Sequence, residues 1–192
     1  MLAPPAPVPA PPVAPLPTAG PSRALGKPFH GRLENGVQLP AEGPAFYTWD
    51  WGLHRSPNRG WRRFGTANTV TTTLRVLVEF HAQNPTAPRI GVADLSRPHG
   101  GPFGKRFGGD GHASHQNGLD VDIPYPRLDR VEKPPIRPAQ IDRTLAQELL
   151  DRFIAAGAQY VFVGYHAGLH GPRKVVQAIP DHDDLMHVRF RP

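Results

Sequence analysis

The fold and the candidate site both depend on the stretch HASHQNGLDVD at residues 112–122 and on its counterpart DDLMHVR at residues 183–189. Side chains alternate across a β-strand, so successive residues point to opposite faces. In the first stretch this places Asp120 and Asp122 on one face and the apolar residues beside them on the other. The pattern predicts a strand that is buried on one side and carries carboxylates on the other.

The segment near the C-terminus alternates in the same way. His187 and Arg189 share one face, while Met186, Val188 and Phe190 turn into the core. If the two strands are neighbours in a sheet, a carboxylate of the first and an imidazole of the second can meet across it. The alternation therefore predicts a polar cluster on one face of a sheet.

A third group can reach this cluster through the loop that contains Gly118, because His115 lies just before it. Two imidazoles and one carboxylate are the ligands of a catalytic zinc that keeps one position open for water. The chain has no cysteine, so any zinc would be held by nitrogen and oxygen atoms. The alternative is a buried, hydrogen-bonded cluster without a metal. For Asp120 we expect hydrogen bonding to the loop or to an imidazole rather than ligation.

Residues 112–122, with the later Met186-His187-Val188-Arg189, resemble the penicillin-insensitive murein endopeptidases. These belong to a larger group of zinc peptidases that includes lysostaphin-type and D-Ala-D-Ala peptidases. The similarity extends from about Gly26 to the C-terminus and includes Asp94-Leu95-Ser96 and the glycine-rich loop after it. The resemblance implies a zinc peptidase that cuts peptidoglycan stem or cross-link peptides.

Carried over position by position, the resemblance implies that His115, Asp122 and His187 are zinc ligands. His112 matches a family histidine that lies at the metal, so it is a candidate fourth ligand. A zinc ion held by three protein groups lowers the pKa of its water towards about 7 and polarises the amide carbonyl. A group that accepts the proton must then lie nearby.

Two residues are candidates for this catalytic role. Asp184 lies three residues before His187, the spacing at which related D-Ala-D-Ala peptidases place a carboxylate base, and His182 matches an active-site histidine of the murein endopeptidases. Arg189 shares the strand face of His187 and is a candidate for binding substrate carboxylate or oxyanion charge. A plain salt bridge is the alternative reading of Arg189.

One position departs from the family pattern. Family members have a histidine two residues before the last ligand, where this chain has Leu185. Leucine cannot accept a proton or donate to an oxyanion, and one such group contributes roughly 10²–10⁴-fold to a rate. The alternative function is therefore a catalytically weakened or inactive peptidoglycan-binding protein.

The length and charge of the chain limit the number of domains and the class of partner. The chain has 192 residues, about one domain, with a net charge of +6 and a pI near 10.2. Such a charge fits an acidic polymer, and both a cell wall and a nucleic acid qualify. The resemblance favours peptidoglycan peptides over nucleic acid as the partner.

Residues 1–22 contain no charged residue and are dominated by proline and alanine, so we expect a disordered, extended spacer before a zinc peptidase domain over 23–192. The segment lacks the basic and apolar regions of a signal peptide, and no run of about 18 apolar residues predicts a transmembrane segment. The resemblance implies an extracytoplasmic location, in the periplasm or cell wall. We therefore expect an export signal upstream of the sequence as given.

The remaining pattern predicts an α+β fold, with a small antiparallel sheet that carries the zinc ligands, flanked by helices and long loops. One helix is expected to begin at its cap Asn68, and a second is expected to end at Gly157. The predicted helices cover about 68–83 and 138–156, the further strands 89–95, 160–163 and 175–179, and a flexible glycine-rich loop 100–111.

Six aromatic residues cluster over residues 46–64, shortly before the first helix. We expect core packing and loop anchoring from them, with a sugar-stacking surface as the alternative. The basic pairs Arg62-Arg63 and Lys105-Arg106 are expected to be solvated charge, with binding of anionic substrate as the alternative. The aromatic residues are Phe46, Tyr47, Trp49, Trp51, Trp61 and Phe64.

Overall fold

A computed structural model of the chain describes residues 20–107 and 112–192. Nearly all of the predicted spacer, and the glycines at 108, 109 and 111 of the predicted loop, lie outside the described residues. The helices are α1 (Ala67–Gln83) and α2 (Arg143–Ala155). The strands are β1 (Arg23–Lys27), β2 (His30–Glu34), β3 (Val37–Gln38), β4 (Glu42–Gly43), β5 (Phe46–Thr48), β6 (Phe64–Gly65), β7 (Ile90–Val92), β8 (Asp120–Pro124), β9 (Tyr160–Gly164), β10 (Val176–Ile179) and β11 (Leu185–Arg189).

The sheet that carries the candidate ligands has the strand order β10-β9-β11-β8. β11 runs antiparallel to both of its neighbours, as predicted for the ligand strands, and the α+β class is confirmed. The β9–β10 pair is parallel, which the prediction of an antiparallel sheet did not include. Residues 165–175 explain the difference, because a connection of this length carries the chain back to the start of the sheet.

The register of β8 and β11 follows the alternation in the sequence. His187 lies directly opposite Asp122, and Arg189 lies opposite Asp120. The intervening apolar residues are at most 1 % exposed and form the core between the sheet and the helices. They are Val121, Ile123, Met186, Val188 and Phe190.

β8 is also joined to the segment that follows β7. The amide of Asp122 donates to the carbonyl of Asp94 over 2.9 Å, and the carbonyl of Asp122 accepts from the amide of Ala93 over 2.8 Å. Since both backbone groups of Asp122 are used on this side, its pair with His187 is of the non-hydrogen-bonded kind, in which side chains approach more closely. The junction brings Asp94 to the edge of the polar cluster.

Both helices begin at residues other than those predicted. Thr66, not Asn68, caps α1: it has an extended backbone and its hydroxyl accepts from the amide of Thr69 over 3.1 Å. Asp142 caps α2, because Pro138 starts a separate 3₁₀ turn that ends before the helix. The end of α2 is as predicted, with Gly157 at φ +91° just after it.

The helices bury their apolar faces against the sheets, with residues such as Leu77, Phe80, Leu149 and Phe153 fully buried. Phe46, Tyr47 and Trp49 are buried as well, which confirms core packing for this part of the aromatic group. None of the helices within the described residues is long and apolar enough to cross a membrane.

Candidate metal centre

The structure brings the three predicted zinc ligands together. Nε2 of His115 lies 3.3 Å from one carboxylate oxygen of Asp122, and Nδ1 of His187 lies 3.0 Å from the other. The two imidazole rings pack edge to face, with their centroids 4.7 Å apart. All three side chains are buried. The strand register predicted the meeting of Asp122 with His187, and the loop brings His115 to the same place.

Hydrogen bonds fix the orientation of His115. Its Nδ1–H donates to the carbonyl of Leu95 over 2.5 Å, and its backbone amide donates to Asp120 over 2.9 Å. The residue has φ +65°, a left-handed conformation that is uncommon for residues other than glycine but that histidine adopts more often than most. These contacts direct Nε2 of His115 towards Asp122 and define the tautomer that can bind a metal.

His112 lies at the edge of the cluster. Its Nε2 donates to Asp94 over 2.8 Å and lies 3.7 Å from Asp122. Its ring centroid is 4.3 Å from that of His115. His112, His115 and Asp122 each offer a ligand atom within 4.8 Å of the others, an arrangement compatible with a metal ion.

Asp120 has the contacts expected of a residue that hydrogen-bonds to the candidate ligands rather than of a ligand itself. Besides the amide of His115, it accepts from Nε of Arg189 over 2.6 Å and from Nη2 over 3.2 Å. Its Oδ1 also lies 3.2 Å from Nε2 of His187. Asp120 therefore supports both imidazoles of the cluster.

The carboxylates of the cluster differ in their positive partners. Asp94 is paired with Arg62 and Asp120 with Arg189, whereas within the part of the chain that the structure describes no arginine or lysine is paired with Asp122. Burial raises the pKa of Asp122, but the neighbouring histidines outweigh this and hold it well below its usual value. A buried carboxylate that stays ionised needs a positive partner.

Several buried polar atoms of the cluster lack a well-aligned hydrogen bond. Nε2 of His115, both carboxylate oxygens of Asp122 and Nε2 of His187 are buried without a well-aligned hydrogen bond to any described residue. Burial lowers the pKa of His187, but Asp120 and Asp122 outweigh this effect and raise it to about 9. The cluster thus favours positive charge, and its two nitrogens and one carboxylate are a donor set that fits zinc.

The cluster opens into a cleft of about 590 Å³. Phe29, at the tip of the β1–β2 hairpin, Trp51 and Phe162 supply aromatic walls. Trp51 therefore differs from the buried aromatic residues near it, since it faces the cleft. The cleft is large enough for a peptide side chain and its neighbouring amide groups.

The two predicted proton acceptors both line this cleft. Nδ1–H of His182 donates to the carbonyl of Pro180 over 2.8 Å, so Nε2 carries the lone pair when the ring is neutral. Burial lowers the pKa of His182, which favours that neutral form. Burial, with a smaller effect of nearby acidic groups, raises the pKa of Asp184 to about 6.

Leu185 and Arg189 also line the cleft. Leu185 is 8 % exposed and adds an apolar surface to the wall. Arg189 forms the salt bridge that was the alternative reading, since it binds Asp120 with two nitrogens, and its guanidinium lies 5.6 Å from the ring of Phe162. The structure leaves substrate binding by Arg189 as a prediction.

One prediction about charge is wrong. Arg62 was expected to be solvated, but it is fully buried and holds Asp94 with Nε at 2.6 Å from Oδ1 and with Nη2 on Oδ2. The carboxylate neutralises the guanidinium, which offsets part of the free-energy cost of burying its charge. Sequence reasoning missed both roles, because Asp94 was noted only as part of the family resemblance and Arg62 has no pattern that separates it from Arg63.

Comparison with known proteins agrees with the geometry. The sequence profile of the family described as penicillin-insensitive murein endopeptidase matches residues 24–157, a range that includes His112, His115 and Asp122 but ends before His187. A protein of that name from Yersinia pestis bv. Antiqua (strain Antiqua) is 35% identical over 107 residues, 56% of this chain and 34% of that protein. One from Pectobacterium atrosepticum is 31% identical over 135 residues, 69% of this chain and 43% of that protein.

A third relative of the same name, from Klebsiella pneumoniae subsp. pneumoniae, is 33% identical over 107 residues, 56% of this chain and 34% of that protein. The alignments thus span between 34% and 43% of the length of these relatives. The family match, by contrast, covers well over half of the present sequence. The chain therefore belongs to the penicillin-insensitive murein endopeptidase family.

Proposed function

We propose that this protein is a zinc-dependent peptidase that hydrolyses amide bonds in the stem or cross-link peptides of peptidoglycan. The observation that carries the proposal is that two buried imidazoles flank one buried carboxylate, with Nε2 of His115 at 3.3 Å and Nδ1 of His187 at 3.0 Å from the two oxygens of Asp122. Family membership supports the substrate, because the relatives are named as murein endopeptidases. The proposal also places the protein outside the cytoplasm, in the periplasm or cell wall.

Zinc would be held by Nε2 of His115, the carboxylate of Asp122 and an imidazole nitrogen of His187. His112 is a candidate fourth ligand through Nδ1, because its Nε2–H donates to Asp94. When bound, zinc supplies a water of lowered pKa and polarises the amide carbonyl. Asp120 and the carbonyl of Leu95 hold the imidazoles in place. Such supporting contacts keep the ligands in one geometry.

His182 is the better placed of the two proton acceptors. Its Nε2 carries a lone pair because Nδ1–H is bound to Pro180, and its ring centroid lies 6.1 Å from that of His187. His182 would take the proton from the attacking water at Nε2 and return it to the leaving amine. Asp184, with its raised pKa of about 6, could share this role or assist through its charge.

The cleft suits a peptide with both apolar and anionic parts. The walls formed by Phe29, Trp51 and Phe162 can contact alanine methyl groups or sugar faces. Arg189 would bind a substrate carboxylate or steady the oxyanion with the donors that do not contact Asp120. Stem peptides offer these groups, so peptidoglycan rather than nucleic acid is the proposed partner.

Leu185 favours a second candidate function. It supplies an apolar surface to the cleft at the position where the family has a histidine, so the chain could bind peptidoglycan and hydrolyse it slowly or not at all. In that case the metal centre would serve recognition.

Digestion of purified, cross-linked sacculi tests both functions. Elemental analysis of the protein would be combined with mass spectrometry of the released fragments, and His187→Ala would serve as the control. About one zinc per chain, with new peptide termini that His187→Ala does not produce, supports the peptidase. Bound zinc and sedimentation with sacculi, without any cleavage, would support the binding protein. Absence of zinc together with salt-sensitive binding to duplex DNA would overturn both proposals.

A further inference from the structure

Arg62 and Asp94 form a buried ion pair beside the candidate metal centre, and Asp94 has further hydrogen-bond donors. The side chain of Arg62 is 0 % exposed, so it contacts neither solvent nor the cleft. Its guanidinium binds both oxygens of Asp94. Asn58 adds a hydrogen bond to Oδ1 of Asp94 over 3.1 Å, and His112 adds one to Oδ2 over 2.8 Å. Each oxygen of Asp94 thus accepts from two donors, which leaves this carboxylate saturated and unsuited to bind a metal itself.

The residues of the site differ in what orients them. Asp122 and His187 lie opposite each other on neighbouring strands, and His115 is fixed by a backbone amide and a carbonyl contact. His112 lies in neither a helix nor a strand. Among its side-chain contacts with described residues, the shortest is the hydrogen bond to Asp94.

A second contact restricts the same imidazole. The ring of Phe103 stacks on His112 with an interplanar angle of 8° and a centroid distance of 5.3 Å. The guanidinium of Arg62 lies 5.2 Å from the centre of the same Phe103 ring. Arg62 therefore contacts both groups that hold His112, namely the carboxylate at its edge and the aromatic ring on its face.

We propose that the Arg62–Asp94 ion pair is the positioning device for His112, and that it holds this imidazole against the His115–Asp122–His187 cluster. The inference rests on the proposed metal centre and deepens it, because it assigns a role to two residues that do not contact the metal or the substrate. The backbone bonds between Asp94 and Asp122 place the device and the candidate ligand in one frame. Loss of the device should disturb His112 and leave the strand ligands in place.

The chain contains a matched control for a purely structural role. Asp50 is also fully buried and is held by two nitrogens of Arg59, with Nε 2.5 Å from Oδ2 and Nη2 3.0 Å from Oδ1. Among the described residues none of the four histidine and aspartate candidates for the metal contacts this carboxylate. Asp50→Asn should therefore also cost stability without acting on His112. Its cost should be smaller than that of Asp94→Asn, because Arg59 is 29 % exposed whereas Arg62 is fully buried.

The experiment measures zinc affinity of the full chain by competition with a chromophoric chelator, alongside thermal unfolding. We expect Asp94→Asn to weaken zinc binding by about 10–100-fold, the usual effect of losing a carboxylate that orients a histidine ligand, and Asp50→Asn to leave it within about twofold. The decisive readout is coupling: in a His112→Ala background, Asp94→Asn should have no further effect. Additive losses, or equal losses for Asp94→Asn and Asp50→Asn, would overturn the positioning role.

A gentler pair of variants covers the case in which Asp94→Asn does not fold. Arg62→Lys and Arg59→Lys keep the positive charge but remove the bidentate contact with the aspartate. Only Arg62→Lys should weaken zinc binding and change the visible spectrum of the Co²⁺-loaded protein; unchanged affinity and spectrum would contradict the proposal. A wild-type chain that binds no zinc at all would instead refute the proposed function, so the two failures are distinct.

Discussion

The two halves of the candidate centre are held by different physical means. Asp122 and His187 belong to paired strands, and their meeting follows from backbone register. His112 and His115 belong to an irregular segment, and their rings are held by hydrogen bonds to Asp94 and to the carbonyl of Leu95. The strand half therefore shares the stability of the core, whereas the loop half depends on a few individual contacts.

The sharpest test of this difference removes one candidate ligand from each half. His187→Ala should reduce zinc affinity by well over the 10–100-fold that loss of a supporting contact costs, and hydrolysis of sacculi should fall to background. His112→Ala should cost less, since three ligands remain. Chelator competition and fragment analysis on both variants measure this, and equal losses would show that the two histidines contribute alike.

Substitution of Leu185 by histidine tests whether the strand half lacks a proton-transferring group. Because its side chain lines the cleft, Leu185→His should restore a proton-transferring group and raise the rate of sacculus hydrolysis by about 10²–10⁴-fold if catalysis is weakened there. Zinc content should stay unchanged. Equal and robust rates for the two proteins would show that His182 and Asp184 suffice without it.

Substitution of Gly118 by alanine tests how tightly the loop half packs against the rest of the protein. It has φ +74°, and a Cβ there would lie 2.9 Å from the Leu33 side chain and 3.0 Å from the amide nitrogen of Thr66. We expect Gly118→Ala to lower the free energy of unfolding by about 3 kcal/mol, through backbone strain and overpacking together. Gly101 has φ +80° with nothing within 4 Å, so Gly101→Ala should cost only about 1 kcal/mol of strain. Urea unfolding of the two variants gives the difference directly, and similar values would mean that the loop relaxes around the new methyl group.

The smallest expected effect concerns the start of α1, which is capped by Thr66. The backbone amide of Thr66 also donates to the carbonyl of Gly118 over 2.9 Å and so contacts the loop half. Thr66→Ala should cost about 1 kcal/mol of stability by loss of the cap. Asn68→Ala should be nearly neutral, because this residue lies within the first turn. Thermal unfolding compares them; a larger loss for Asn68→Ala would contradict the assignment of the cap.

The strand half could be predicted from the sequence because its information is local and periodic. The alternation over 119–123 and 186–190 determines which side chains face the core, and it predicted that His187 and Asp122 would share a face. Pairing of the two strands needed only the assumption that they are neighbours. The same local logic predicted the end of α2 at Gly157.

The supporting contacts could not be predicted in this way. Arg62 and Asp94 lie 32 positions apart, and no periodicity connects them. Arg62 and Arg63 are adjacent and chemically identical, yet only the first is buried with a carboxylate. Thr66 and Asn68 are both good capping residues, so propensity alone does not choose between them. Tertiary packing decided each of these cases.

The junction between β8 and the segment that follows β7 has a mechanical consequence. Because the amide of Asp122 bonds to Asp94 and its carbonyl to Ala93, the two segments are joined through the backbone of a candidate ligand itself. Moving β8 away from that segment would break both of these hydrogen bonds. We therefore expect Asp122 to keep its place at the cleft when a ligand enters.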